Sequence, residues 1–207
     1  MSGHTGTNGW VSFNADVNKN ETTIFTNFAK DFVAAEYVNG YVYAQTEDGA
    51  LYGFKYEDML KDTFVLEATY VAQLNNVYQD MAYSYKEGKL YGLLTYEDGD
   101  GYPTSEVNSI NLRGAYYDEN LWSDVAPYQE DYIVSRGGLY GLSMAIDDEG
   151  TLYVLGNAYD GIWNENDEYI IVADETASLW SVPCEYDEWS GGWMLGWQSR
   201  HNFLLCI

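Results

Sequence analysis

Asp80-Met81-Ala82-Tyr83-Ser84-Tyr85-Lys86-Glu87-Gly88-Lys89-Leu90-Tyr91-Gly92-Leu93 is the stretch on which the reading of the fold turns. An apolar start through Ala82, the polar run Tyr85-Lys86-Glu87-Gly88 and a restart at Leu90-Tyr91 describe two strands joined by a turn, with Gly88 free to take the positive φ such a turn demands. The Gly-x-Leu/Val-Tyr heart of the pattern returns at Gly40-Tyr41-Val42-Tyr43, Gly49-Ala50-Leu51-Tyr52, Gly137-Gly138-Leu139-Tyr140 and Gly150-Thr151-Leu152-Tyr153. Ala177-Ser178-Leu179-Trp180 is a degenerate copy. Three copies lie in a longer unit whose alanine precedes the glycine by five or six residues: Ala35 to Gly40, Ala82 to Gly88 and Ala145 to Gly150.

Each predicted hairpin is followed by an alternating segment that reads as a third strand, at residues 50–54, 106–112 and 178–182. Fourth strands are predicted within 64–74, 121–126 and 193–197, whereas 96–103 and 128–137 read as loops. Glu57-Asp58-Met59-Leu60-Lys61 supplies material for one helical turn, and no other segment sustains a helical period. Four short antiparallel strands in a unit of about 40–50 residues have the period of a propeller blade. The expected fold is therefore all-β and propeller-like: about three recognisable four-stranded blades plus terminal strands, in one repeat domain over residues 1–207. Three blades are fewer than the roughly four to eight that close a ring. Closure would use the N-terminal segments 10–17 and 22–28 with the apolar C-terminal segment 202–207, expected to be a buried strand, or would use the same segment of another copy in a homo-oligomer.

The stretch quoted above, followed by Ser109-Ile110-Asn111-Leu112, resembles the blade repeat of secreted bacterial β-propeller-like surface proteins, in which a similar Met-Ala-Tyr hairpin precedes a strand of the Ile-Asp-Leu type. The likeness covers residues 32–182 and carries no catalytic motif. It implies an extracellular or cell-surface location.

Composition sets further bounds. The chain of 207 residues carries 33 Asp and Glu against 9 Lys and Arg, a formal charge of −24, so its field repels phosphate backbones and anionic headgroups. Nucleic acid is excluded as a partner on this ground. A 46% hydrophobic and 17% aromatic content is far from the signature of disorder. No apolar run approaches the roughly 20 residues that span a bilayer, so membrane insertion is not expected. Residues 1–10 lack the basic and apolar regions of a signal peptide, and any leader or anchor is expected to lie outside this sequence. Cys184 and Cys206 form neither a disulfide framework nor a zinc spacing.

Two groups of residues stand out as candidate sites. Glu97, Asp98 and Asp100, in Glu97-Asp98-Gly99-Asp100-Gly101, alternate carboxylates with glycine as a calcium loop would, although Tyr102 and Asn108 rule out the EF-hand spacing. The plain alternative is an Asp-Gly turn in water, and it applies equally to Asn164-Glu165-Asn166-Asp167-Glu168. Trp189, Trp193 and Trp197, gathered in one glycine-containing stretch, are the candidate ligand-binding aromatics, set against packing between sheets. There is no Gly-x-Ser-x-Gly elbow and no phosphate-cradling loop, and His4 and His201 are the only imidazoles. The function expected is a non-enzymatic extracellular recognition or adhesion module for a protein or a glycan. The alternatives are a glycoside hydrolase using a carboxylate pair and a structural spacer in a larger surface protein.

Overall fold

The computed structural model describes the backbone of residues 2–4, 9–12, 22–26, 30–60, 65–112, 130–182, 184–187, 192–195 and 199–202, and the side chains within 30–60, 67–112, 130–173 and 178–181. The chain forms two compact units, Met1–Val77 and Tyr78–Ile207. Among the described residues nearly every element is a strand, and no helix is long and apolar enough to cross a membrane.

The first unit contains β1 (Ser2–His4), β2 (Gly9–Ser12), β3 (Thr22–Thr26), β4 (Phe32–Val38), β5 (Tyr41–Thr46), β6 (Ala50–Lys55), the single turn α1 (Tyr56–Met59), β7 (Val65–Leu66) and β8 (Thr69–Gln73). Strands β4-β5-β6-β8 make an antiparallel four-stranded sheet in chain order. Its first hairpin turns on Asn39-Gly40, both with positive φ (47° and 91°), the two-residue geometry that matches the right-handed twist of the flanking strands. Phe32, Val42, Ala44, Phe54 and Met59 form the core, with the Phe32 and Phe54 rings edge-to-face at 5.6 Å. α1 lies where a helical turn is expected, and it turns Met59 into that core. The predicted N-terminal strands are present as β2 and β3, but their sheet, β1-β2-β3-β7, takes its fourth member from Val65–Leu66 in parallel. Residues 203–207, expected to supply a closing strand, lie outside the described residues.

The second unit contains β9 (Asp80–Ser84), β10 (Lys89–Glu97), β11 (Pro103–Ile110), β12 (Glu130–Gly137), β13 (Leu139–Ile146), β14 (Leu152–Trp163), β15 (Tyr169–Val182), β16 (Cys184–Asp187), β17 (Gly192–Leu195) and β18 (Ser199–Asn202). β9-β10-β11-β12 and β13-β14-β15-β18 are two open antiparallel sheets of four, and β16-β17 is a separate hairpin. Gly88 and Gly150, expected at equivalent turns, both have positive φ (66° and 86°). The turns close differently, however: the Gly88 N–H reaches back to the Ser84 carbonyl, and the Gly150 N–H to that of Asp147.

Two fourth strands differ from the expectation. Residues 121–126 lie outside the described residues, and the strand beside β11 is β12, in a segment that reads as a loop. A register slip between Val107 and Asn108 breaks the two-residue alternation there, so Ile133 and Val134 both pack against the core although they are neighbours in sequence. Gly192–Leu195 pairs with β16, and β15 takes its outer neighbour from Ser199–Asn202, a polar segment without any hydrophobic period. Among the described residues its backbone pairing makes it the outermost strand of that sheet.

A single residue, Gly138, carries the chain from the first of these sheets to the second. Its N–H donates to the Pro103 carbonyl (2.8 Å) and its own carbonyl accepts from the Tyr159 N–H (2.8 Å), so one residue serves both ladders. β13 then runs over the preceding sheet strand by strand. The Ser105 hydroxyl of β11 donates to the Leu139 carbonyl and accepts from the Gly141 N–H, both at 2.7 Å. Thr95 of β10 donates to the Gly141 carbonyl (3.0 Å), and one Asp80 carboxylate oxygen of β9 accepts from Ser143 Oγ and the Met144 N–H (2.7 and 2.8 Å). Leu142, left over where the register slips, bends the strand midway. Beneath the crossing lie Ala82, Tyr91, Leu93, Val107, Leu139, Met144, Leu152, Val154 and Trp180.

Gly138 has φ +72°, and a Cβ there would strike the Tyr102 hydroxyl and stand 2.7 Å from the Tyr159 carbonyl oxygen. Gly138→Ala should therefore destabilise by well over the roughly 1 kcal/mol of an ordinary glycine replacement at positive φ. Ser105→Ala, which strands the buried Gly141 N–H, should cost about 1–3 kcal/mol. Urea midpoints of the two variants against the parent test both, and a Gly138→Ala protein melting with the parent would refute the crossing geometry.

Candidate binding surface

Three hairpin turns of the second unit share one closure. In Asp98–Tyr102, Asp147–Thr151 and Asn164–Glu168 the first N–H donates to the fifth carbonyl (2.9–3.0 Å), and the fourth N–H returns to the first carbonyl (2.9–3.1 Å). The fourth residue, Gly101, Gly150 or Asp167, is left-handed in each. The side chain at the first position completes the turn. Asp98 Oδ1 accepts from the Asp100 and Tyr102 N–H groups (3.0 and 2.8 Å), Asp147 Oδ1 from Thr151 (2.7 Å), and Asn164 Oδ1 from Asn166 and Glu168 (2.8 and 3.0 Å). An aspartate or asparagine is what such a turn selects.

This is where the expected calcium residues lie. Glu97 ends β10 and is exposed, Asp98 holds the turn by its carboxylate, and Asp100 is exposed at the tip. Among the described residues no group of three or more His, Cys, Asp or Glu side chains is placed to hold a metal ion. Of the expected aromatic site, Trp189 and Trp197 lie outside the described residues. Trp193 stands on β17 opposite Tyr186, with only its backbone described.

A surface not singled out in the sequence is built by the third of these turns. β13 pairs with β14 only as far as Ala158, where the β14–β15 register also breaks. Beyond it the two strands continue as an arm through the pairs Tyr159↔Ala173, Asp160↔Val172, Gly161↔Ile171, Ile162↔Ile170 and Trp163↔Tyr169. Directly opposed residues share a face and alternate along the strands. Ile162, Ile170 and Val172 thus form an aliphatic face, with Asp160 at its base. Trp163 and Tyr169 lie on the other face, their rings edge-to-face at 5.5 Å.

The Tyr169 ring lies across Gly161, where any Cβ would fall inside it; only glycine at this position admits the ring. Trp163 is 70% exposed, Ile162 46%, Val172 41% and Ile170 38%, so the arm stands in solvent on both faces. Apolar side chains contiguous on a solvent-facing hairpin form the kind of patch that marks an interaction surface. Among the described residues β18 pairs only with Ser178–Ser181 of β15, and nothing but β14 pairs with Tyr169–Ala173.

The signal for this arm is present in the sequence: Gly161-Ile162-Trp163 and Tyr169-Ile170-Ile171-Val172 flank the acidic turn as two strands would. What sequence does not convey is that β13 stops short and leaves the pair uncovered.

The turn carboxylates also set a pH dependence. The Asp147 carboxylate accepts from the Tyr153 hydroxyl (2.9 Å), and this hydrogen bond, followed by partial burial, raises the phenol above its ordinary value of 10.0. A phenol raised in the fold contributes stability that is fully present below the unfolded value and lost as pH rises through the folded one. Tyr153→Phe should therefore flatten the fall in urea midpoint above about pH 10 and diminish the late part of the tyrosinate absorbance titration, to which Tyr96, raised by its burial and by Glu106, also contributes. A late part unchanged in that variant would count against the Asp147 contact.

The sequence matches no protein-family model and no curated protein, so the arm and the sheets behind it carry the functional reading.

Proposed function

We propose that the chain is an extracellular, non-enzymatic recognition module of propeller-like blades that binds a protein partner through the β14–β15 arm. The observation that carries this reading is the exposure of Ile162, Trp163, Ile170 and Val172 on a hairpin extending beyond its sheet. Side chains of this type cost solubility when left in water, and burial against a partner recovers roughly 25 cal/mol for each Å2 of apolar surface covered. An aliphatic face of this kind suits a protein better than a sugar, which is gripped by flat rings and hydrogen-bonding groups. The blade reading is supported by three antiparallel sheets of four strands, in chain order apart from the insertions before β8 and β18, and by the crossing of β13 from the outer strand of one sheet to the edge beside β9. The extracellular location is supported by the resemblance to secreted blade-repeat proteins.

The test is comparative. The parent chain and an Ile162→Ser/Trp163→Ser variant are immobilised, exposed to a glycan array and to proteins released from the producing cells' surface, and assayed on a panel of chromogenic glycosides. Protein capture by the parent that the variant loses, with no glycan signal and no turnover, is the expected outcome. Equal capture by both, glycan binding indifferent to the variant, or glycoside hydrolysis would overturn the proposal.

A further inference from the structure

We propose that the arm adds a strand from a cationic partner along the outer edge of Tyr169–Ala173, the partner alternating aliphatic residues with Lys or Arg. This rests on the recognition reading above and specifies its ligand. Three features lead to it.

The first is the edge. In the described register Tyr169–Ala173 has β14 on one side and no strand on the other, so a row of backbone donors and acceptors faces outward, the arrangement that a strand added from another chain completes. The β14 edge of the arm is the weaker template, since it presents Asp160 and Gly161 where β15 presents Val172 and Ile171.

The second is the difference between the two faces. An added strand continues both of them, with successive side chains going to opposite sides. On one side they meet Ile170 and Val172, with Ile162 behind, and burial there favours valine, isoleucine or leucine. On the other they meet Tyr169, Ile171 and Ala173, with Trp163 behind Tyr169 on β14, and the two rings at the turn end of that face attract an ammonium or guanidinium group.

The third is charge. Asp160, Glu165, Asp167 and Glu168 are all exposed on the arm or its turn, and the chain has no Lys or Arg between Arg136 and Arg200. The field over the arm is thus of one sign, and it selects a basic partner while disfavouring a second copy of this chain, which would set the same carboxylates against one another. Together these features define an alternating sequence, aliphatic toward Ile170 and Val172 and cationic on the Tyr169 face, where the long stems of Lys or Arg cross Ile171 and their charged ends reach the rings and the carboxylates around the turn.

The probe is a fluorescent peptide of about ten residues, long enough for one strand, that alternates lysine with valine. Its binding to the full chain is followed by anisotropy. Peptides alternating glutamate with valine or lysine with serine are the comparisons, together with the lysine–valine peptide N-methylated at every second residue. The expected result is binding of the lysine–valine peptide alone, weakened at least about tenfold by Ile170→Ser/Val172→Ser and several-fold between about 0.05 and about 0.5 M salt. Both substituted side chains lie outside the shared core, so the thermal melt of the sheets should not move. N-methylation should abolish binding, and this arm needs no variant protein.

Equal binding of the lysine–serine peptide, retention by the N-methylated peptide, or self-association of the chain that the double variant removes would each overturn the proposal. If the lysine–valine peptide fails while the immobilised parent still captures a protein that the arm variant loses, the recognition reading stands and the cationic strand falls.

Discussion

Gly138 has to belong to two sheets at once, and much of the second unit follows from how that is achieved. A strand that leaves one sheet and enters another without a connecting loop must satisfy its backbone on the way, because buried N–H and C=O groups left unpaired are costly. Here the sheet beneath supplies the partners. Ser105, Thr95 and Asp80, one from each successive strand, meet the passing groups of β13 at 2.7–3.0 Å. These side chains occupy positions that an all-apolar pattern would give to core residues, and their polarity is explained by the backbone above them. The bend at Leu142 then brings Met144 onto the core beside Ala82 and Leu93.

The same economy of local chemistry appears at the turns. One oxygen of Asp98, in the stretch expected to be a metal loop, accepts from its own turn backbone, and the closure repeats with asparagine in place of aspartate at Asn164. A strongly acidic sequence thus arises in part from turn geometry, with the remaining carboxylates projecting into solvent. Along the arm those projecting carboxylates surround side chains that would otherwise be buried, which gives the surface both an apolar contact and a sign of charge.

The arm stands apart from the rest of the unit in the way it is stabilised. The sheets are held by a shared core that includes Tyr91, Leu152 and Trp180, whereas the arm relies on cross-strand pairs, the Asn164 turn and the Tyr169 ring laid over Gly161. An isolated two-stranded ribbon is marginal in water. Its continuity with the covered halves of β14 and β15 keeps it formed, and among the described residues Tyr169–Ala173 has a strand on one side only, which leaves room for a neighbour.

Much of the first three strands of the sheets β4-β5-β6-β8, β9-β10-β11-β12 and β13-β14-β15-β18 was legible in the residues themselves. Asn39-Gly40, Gly88 and Gly150 mark their turns because only a few residue types tolerate positive φ, and Leu-Tyr openings mark the strands that follow because a strand with one buried face must alternate. β12 and β18 were not legible, one because a register slip scrambles its alternation and the other because Ser199–Asn202 has no apolar residue to alternate. Of the candidate surface the sequence reading takes only the acidic turn at residues 164–168; the apolar runs on either side of it are not read as strands there. Tertiary structure alone decided that this hairpin outruns β13, since exposure depends on where the pairing of β13 with β14 ends, at Leu139↔Ala158, and that is fixed by pairing between segments distant in the chain and not by any periodicity within it.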